Sequence, residues 1–298
     1  MSDTTPQPRI LTPVPDAGTF MTFELADVTQ AQSVLARVLT VEASDDLVIG
    51  LGEPLVRGAD LWVDGLRVFP SLSAKGVGVP STQGALWAFL AGGDGGERIA
   101  RGRALVTALG PNLRVVEDLP VFRHDGGRDL TGYEDGTENP EARAHEVALV
   151  GKGPLENGSF VAVQRWIHDL VRFSGLTTGE QDATVGRSRV TNEELQDAAA
   201  SAHVKRAAQE SFEPEAFMLR RSMPWGTTTE HGLYFVAFGS TLDLFERVLT
   251  RMTGLEDGVQ DALFRFTRPV TGGYYFCPPR RGNRYDLSGL VRPLPLPR

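Results

Sequence analysis

The chain has 298 residues, 41% of them apolar and 23% charged, a balance that fits a folded globular protein and excludes a disordered one. A formal net charge of −8 and a pI near 5.2 argue against a nucleic-acid partner, which needs a concentrated basic surface. Cys277 is the only cysteine, so neither an intrachain disulfide nor a cysteine-based zinc or iron–sulfur centre can form. With no basic-then-apolar leader and no run of eighteen apolar residues, the expected location is the cytoplasm, with no membrane partner.

Periodicity predicts strands at 18–24, 46–51, 67–70, 84–90 and 113–122 in the first half, with helices at 28–39 and 96–109. The second half reads as strands at 158–166, 216–222, 232–238 and 271–277, with helices at 167–173, 191–208 and 241–253. In the last helix Leu242, Phe245, Val248, Leu249 and Met252 recur at three and four, a one-sided apolar stripe. The halves echo each other: Gly18-Thr19-Phe20-Met21-Thr22-Phe23 returns as Gly158-Ser159-Phe160-Val161-Ala162-Val163, and the run from Gly84 returns as the run from Gly232. The expected fold is therefore α+β, with two ferredoxin-like domains of βαββαβ type packed together. An N-terminal domain would span 1–140, and a C-terminal domain 141–298 would end in a Pro- and Arg-rich tail.

The segment from about Arg123 to Asn157 joins the halves and carries Gly132-Tyr133-Glu134-Asp135-Gly136-Thr137-Glu138-Asn139-Pro140. Glycines tolerate positive φ and leave room above the backbone, so Asp135 is presented on a turn that a ligand can approach. Thr137 and Asn139 supply local hydrogen bonds, and Pro140 stops the run from continuing as a helix. Such a carboxylate suits proton transfer, and the junction of two similar domains suits a pocket. Turn chemistry alone would account for the same residues.

Histidines stand at 124, 145, 168, 203 and 231. His145-Glu146 starts a His-Glu-x-x-His pattern, but position 149 is leucine, so the zinc-protease reading fails. His168 at a strand end reads as a satisfied structural residue, and His124 as an ordinary linker residue. His203, in Ala198-Ala199-Ala200-Ser201-Ala202-His203, sits among alanines that favour a helix with a narrow face. Spacing alone selects none of the five as an axial ligand.

Gly132-x-x-Asp135-Gly136, followed by Thr-Glu-Asn-Pro, resembles the signature of the dye-decolourising peroxidases, a family of haem enzymes. Ser201-Ala202-His203 and then Arg220-Arg221-Ser222-Met223-Pro224 are similar to the pattern of their B-type branch, as are Phe235, Asp261 and the strand at Thr271–Phe276. The resemblance runs from about Gly18 to Pro279 and is weakest in the tail, where Asp286-Leu287-Ser288-Gly289-Leu290 faintly resembles a signal that directs some relatives into an encapsulin shell.

The resemblance implies haem b held mainly by the C-terminal domain, with His203 as the iron ligand and Asp261 supporting its second nitrogen. It places Asp135, Arg220 and Ser222 in the catalytic group, and Arg220, Phe235, Gly136 and Thr137 among the residues binding the cofactor. Asp135, near an ordinary carboxylate pKa of about 3.9 and kept ionised by Arg220, would shuttle the peroxide proton, giving best dye activity on the acidic side of neutral. The partners implied are hydrogen peroxide and a dye, phenolic or similar reductant, with electrons relayed through Trp or Tyr, in a homo-oligomer. The competing readings are a haem-storage or iron-release protein of the same fold, a cofactor-free α+β enzyme using Asp135 as a base, and an interaction module.

Overall fold

A computed structural model describes residues 3–292. The first half contributes the short helix α1 (Pro8–Leu11), β1 (Ala17–Leu25), α2 (Ala31–Val38), β2 (Leu47–Gly52), α3 (Glu53–Gly58), the hairpin β3 (Leu72–Ala74) and β4 (Val77–Val79), β5 (Leu86–Ala91), α4 (Gly95–Leu109) and β6 (Leu113–Phe122). The second contributes α5 (Ala144–Ala148), β7 (Ser159–His168), α6 (Leu170–Ser174), α7 (Thr178–Val185), α8 (His203–Arg206), β8 (Leu219–Arg220), β9 (Met223–Gly226), β10 (His231–Gly239), α9 (Asp243–Thr253), β11 (Thr267–Pro269), β12 (Gly273–Cys277), and the pair β13 (Arg280–Arg281) and β14 (Arg284–Tyr285).

All strand pairings in the main sheet are antiparallel. Strands of the first half lie in the order β2-β5-β1-β6, and those of the second in the order β12-β7-β10-β9. Tyr275 pairs with Gly52 and Val121 with Trp225, so the two sets join at both edges and eight strands close into a ring. Closure removes free edges. Each of the eight strands sends side chains to one enclosed cluster that includes Phe20, Val48, Trp87, Val121, Val163, Trp225, Tyr234 and Tyr275. Phe20 stacks on Tyr234 at 4.2 Å, and the Trp87 indole donates to the Tyr234 hydroxyl at 3.1 Å. The alternate residues Met21 and Phe23 point outward into a second core under α2, α3, α4 and α9. Strands buried on both faces read as continuous apolar runs, which is why β1, β2 and β5 were legible.

Helices end where their sequence says they should. Asp94 and Glu97 form a capping box at the start of α4, Thr177 and Glu180 do the same for α7, and Gly186 and Gly254 close α7 and α9 in the left-handed region.

Three expected elements differ. No strand forms over 67–70: Pro70 has no amide proton, Phe69 N–H donates to the Gln83 side chain at 3.1 Å, and the hairpin forms at 72–79 instead. The helix expected over 191–208 is absent except for the single turn α8. Asn192 takes a positive φ of 58° and closes a turn onto Ser188, while Leu195 N–H bonds back to Gly186, so local polar contacts outcompete alanine propensity. The strand expected over 216–222 is split, because the Ser222 hydroxyl rather than a carbonyl accepts from Val236 N–H at 3.3 Å.

The faint encapsulin-like segment is tied down. Asp286 N–H donates to Pro279 O at 2.8 Å, and Leu290 packs into the helix-covered core. Residues 293–298 of the expected tail lie outside the described residues. Among the described residues no helix is long and apolar enough to cross a membrane.

Candidate active site

A cavity opens between the closed sheet and α9. Its walls are apolar where α9 supplies Phe245, Val248, Leu249 and Met252 and where β10 supplies Leu233 and Phe235. Gln164, Trp166 and His168, at i, i+2 and i+4 of β7, share one strand face and point into it. Asp135 is the one lining residue from the first half or its linker. The cavity and its mouth together span about 750 Å³, open solvent included.

His203 opens α8 with its ring at the cavity wall. Its Nδ1 lies 2.7 Å from Asp261 Oδ2, and Asp261 is almost wholly buried, with Oδ1 accepting from Leu263 N–H at 2.9 Å. A carboxylate can only accept here, so Nδ1 carries the proton and Nε2 keeps a free lone pair for the cavity. Asp261 N–H bonds to Met252 O and Ala262 N–H to Ser201 O, which fixes this pair between α9 and α8.

Asp135 sits on its Gly-rich turn, with Gly136 at φ 77°. Its carboxyl borders the cavity, the residue as a whole is exposed, and no other side chain hydrogen-bonds to it among the described residues. Desolvation raises its pKa above the ordinary value, and Asp129 adds to the rise; Arg220, His203 and the Gly136 amide oppose it without winning. The expectation of an unperturbed carboxylate is therefore corrected: desolvation outweighs the Arg220 cation. Arg220 lines the same cavity, and its buried Nε has no partner among the described residues. Its backbone is clamped by Asn139, which accepts from Arg220 N–H and donates to Arg220 O, both at 2.8 Å.

Asp135 and Arg220 also border a second, polar pocket lined by Gly136, Ser222, Arg123, His124, Arg128 and Arg221. Ser222 therefore faces that pocket and is not among the residues lining the apolar cavity. Arg221 is taken up by a bidentate pair with Glu141 at 2.7 and 3.1 Å. Thr137 lies at the surface, bonded to Asn192, and lines neither pocket, so its expected place beside a cofactor is not where the chain puts it. Phe235 lines the cavity as expected. Gln164, Trp166 and His168 were missed as a set, although the period-two spacing of polar and aromatic residues in an apolar strand was a usable signal.

The site suits a haem by its chemistry. Among the described residues no three His, Cys, Asp or Glu side chains converge to cage a bare ion. A lone imidazole with a carboxylate behind it suits an iron that brings its own equatorial nitrogens. The apolar walls suit a flat macrocycle, and the orphaned Arg220 Nε, Gln164 Nε2 and Trp166 Nε1 mark a cavity that protein groups alone do not fill. Cys277 is buried and its thiol pushed far up by desolvation, so it offers no thiolate ligand.

Residues 126–282 match the family described as Dyp-type peroxidase, C-terminal. A dye-decolorizing peroxidase of Mycobacterium tuberculosis is 31% identical over 65% of this chain, which spans 58% of that relative's length. One of Mycolicibacterium paratuberculosis is 29% identical over 98% of this chain and 87% of its own. A variant of DypB from Rhodococcus jostii RHA1, solved in complex with heme, aligns with a TM-score of 0.83 at 30% identity, covering 93% of this chain and 97% of that one.

Proposed function

The chain belongs to the Dyp-type peroxidases, haem-dependent oxidoreductases, and on that premise we propose that it binds haem b in the cavity beside His203, reduces hydrogen peroxide to water and oxidises a small-molecule reductant such as a dye or phenolic. The observation that carries this reading is the convergence on one cavity of a carboxylate-backed imidazole with a free Nε2 and of the Asp135–Arg220 pair.

Bound there, the haem would supply an open coordination position and a store of oxidising equivalents. His203 would hold its iron through Nε2, and Asp261, by accepting from Nδ1–H, would make that nitrogen a stronger donor. Asp135 takes the peroxide proton on its carboxylate and returns it to the departing oxygen, a general acid–base role worth about 10²–10⁴-fold. Its raised pKa suits the task, since a carboxyl nearer the working pH both accepts and gives up a proton readily. Arg220 offsets the negative charge that develops as the O–O bond breaks. Phe235 and the α9 side chains keep water out. Ser222 and Gly136, in the polar pocket, would orient peroxide or a water on its way to Asp135.

A haem carrier or iron-release protein needs neither a proton shuttle nor a free guanidinium, so Asp135 and Arg220 favour the peroxidase. Bulky reductants would be oxidised through the protein, with Trp166 as the first relay: it lines the cavity and stacks on Phe264 at 5.5 Å, whereas Trp87 and Tyr234 sit in the closed core. The strand orders in the two halves also support two ferredoxin-like units, 1–140 and 141–298, joined edge to edge. Homo-oligomers and a cytoplasmic location belong to the same proposal. The test is the absorption spectrum of protein made with ample haem. A Soret band that changes within one turnover on one equivalent of peroxide is expected; a colourless protein, or a pigment inert to peroxide, would contradict the reading.

A further inference from the structure

Asp135 stands on a segment with no helix or strand of its own, so something else must hold its carboxylate to the accuracy that proton transfer demands. We propose that Asp129 and His168 are a positioning pair for Asp135: they fasten its turn to β7, and the charge of Asp129 acts on the carboxylate that the turn carries. This rests on the reading of Asp135 as the proton carrier.

The turn is closed on itself first. Asp135 N–H bonds to Gly127 O at 3.2 Å, Asp129 N–H to Tyr133 O at 2.8 Å, and Gly132 N–H to Asp129 O at 2.8 Å. Asp129 Oδ2 accepts from Thr131 N–H at 2.8 Å and from its hydroxyl at 2.6 Å. Its other oxygen, Oδ1, lies 3.1 Å from His168 Nε2 at the end of β7. His168 is buried and the Asp129 side chain is only 14% exposed, so the link is largely shielded from water. At the far end of the segment Asn139 clamps the Arg220 backbone. Asp135 is thus slung between two side-chain anchors, one charged and one neutral.

The charged anchor is built to survive a change of protonation. His168 Nδ1 lies 2.6 Å from the Thr267 hydroxyl, which also lies 3.0 Å from Ile167 O. When Nδ1 is bare, that hydroxyl donates to it; when Nδ1 is protonated, the hydroxyl accepts and turns its own proton to Ile167 O. In both states Nε2–H donates to Asp129. Burial works against the Asp129 charge, but the His168 contact and the two Thr131 bonds hold its pKa below the usual carboxylate range, so it stays ionised.

Several charged groups face Asp135. Arg220 comes from β8, His203 from α8, His168 from β7, and Arg123, His124, Arg128, Glu141 and Arg221 from around the polar pocket. Desolvation is the main cause of its raised proton affinity, and Asp129 is the negative charge that adds to it.

Three variants of the full chain separate anchoring from charge: Asp129→Asn, Asp129→Ala and His168→Gln. Two readouts are needed. One is the pH profile of kcat/KM for peroxide in the haem-loaded enzyme. The other is the carboxyl NMR titration of Asp135 in haem-free chain, assigned by its loss in Asp135→Asn, together with amide exchange over 127–136. Asp129→Asn keeps a hydrogen-bonding group and deletes the charge, so the Asp135 midpoint moves to lower pH in both readouts while the plateau stays within about threefold. Asp129→Ala deletes the anchor too, so exchange over 127–136 quickens and the plateau falls about tenfold or more, as misplacing a catalytic group does. His168→Gln keeps an amide donor towards Asp129, so exchange over 127–136 stays slow. An unmoved Asp135 midpoint in both Asp129 variants overturns the proposal. So does a loss of activity in all three that follows haem content and Tm with the midpoint unchanged, which is the mark of an ordinary structural pair. Failure of the peroxidase reading looks different: Asp135→Asn would keep full turnover while the haem-free titration still answered to Asp129.

Discussion

Two aspartates serve this one cavity, and their surroundings are opposites. Asp261 is sealed behind His203, with one oxygen on the imidazole and the other on a backbone amide. Asp135 borders the cavity with no side-chain partner, and desolvation raises its pKa. The carboxylate behind the imidazole has donors on both oxygens, whereas the one on the turn has only the Gly136 amide. In the proposed function the same residue type would do fixed electrostatic work on one side and mobile proton work on the other.

Substitutions should separate the two. Asp135→Asn is expected to lower kcat/KM for peroxide by about 10²–10⁴ with iron coordination unchanged; stopped-flow mixing with peroxide checks it, and a loss below tenfold would erase the contrast. Arg220→Leu should cost about 10²–10³. Because Arg220 is the first of the groups that favour the ionised form, its removal should also push the acid limb of the pH profile upward. Asp261→Asn keeps an acceptor for Nδ1–H and removes the charge, so a loss of about 10–100-fold in activity or iron affinity is expected, read by haem titration.

The smallest effect concerns stability. The Asp135 pKa is raised on folding, so its contribution is fully present below the unfolded value of about 3.9 and is lost as pH rises through the folded value. Asp135→Asn should therefore be slightly more stable than the parent at neutral pH, an effect that solvent screening of this exposed residue keeps small, and equal to it in strong acid. Thermal melts at the two pH values decide.

The long sheet strands β1, β2, β5, β6, β7 and β10, with α4 and α9, were legible because their apolar spacing answers to a core that lies next to them. The Asp135 turn was legible because glycines and Pro140 leave the chain few alternatives. The surroundings of His203 were not: three alanines speak for a helix, but Asn192 and Ser188 make a local turn that no propensity sum registers. Thr137 was misplaced because a turn residue two positions from Asp135 can face either way, and it faces Asn192. The anchoring of the Asp135 turn by His168, 39 positions from its partner, depends on a contact that only the folded chain creates.

The central claim is that the free Nε2 of His203 holds the iron. Electron paramagnetic resonance and absorption spectra of wild type and His203→Ala, each loaded with haem, test it directly. Imidazole-ligated ferric haem in wild type, and its loss or replacement by a ligand that external imidazole displaces in the variant, is the expected result. A variant with unaltered spectra would contradict it.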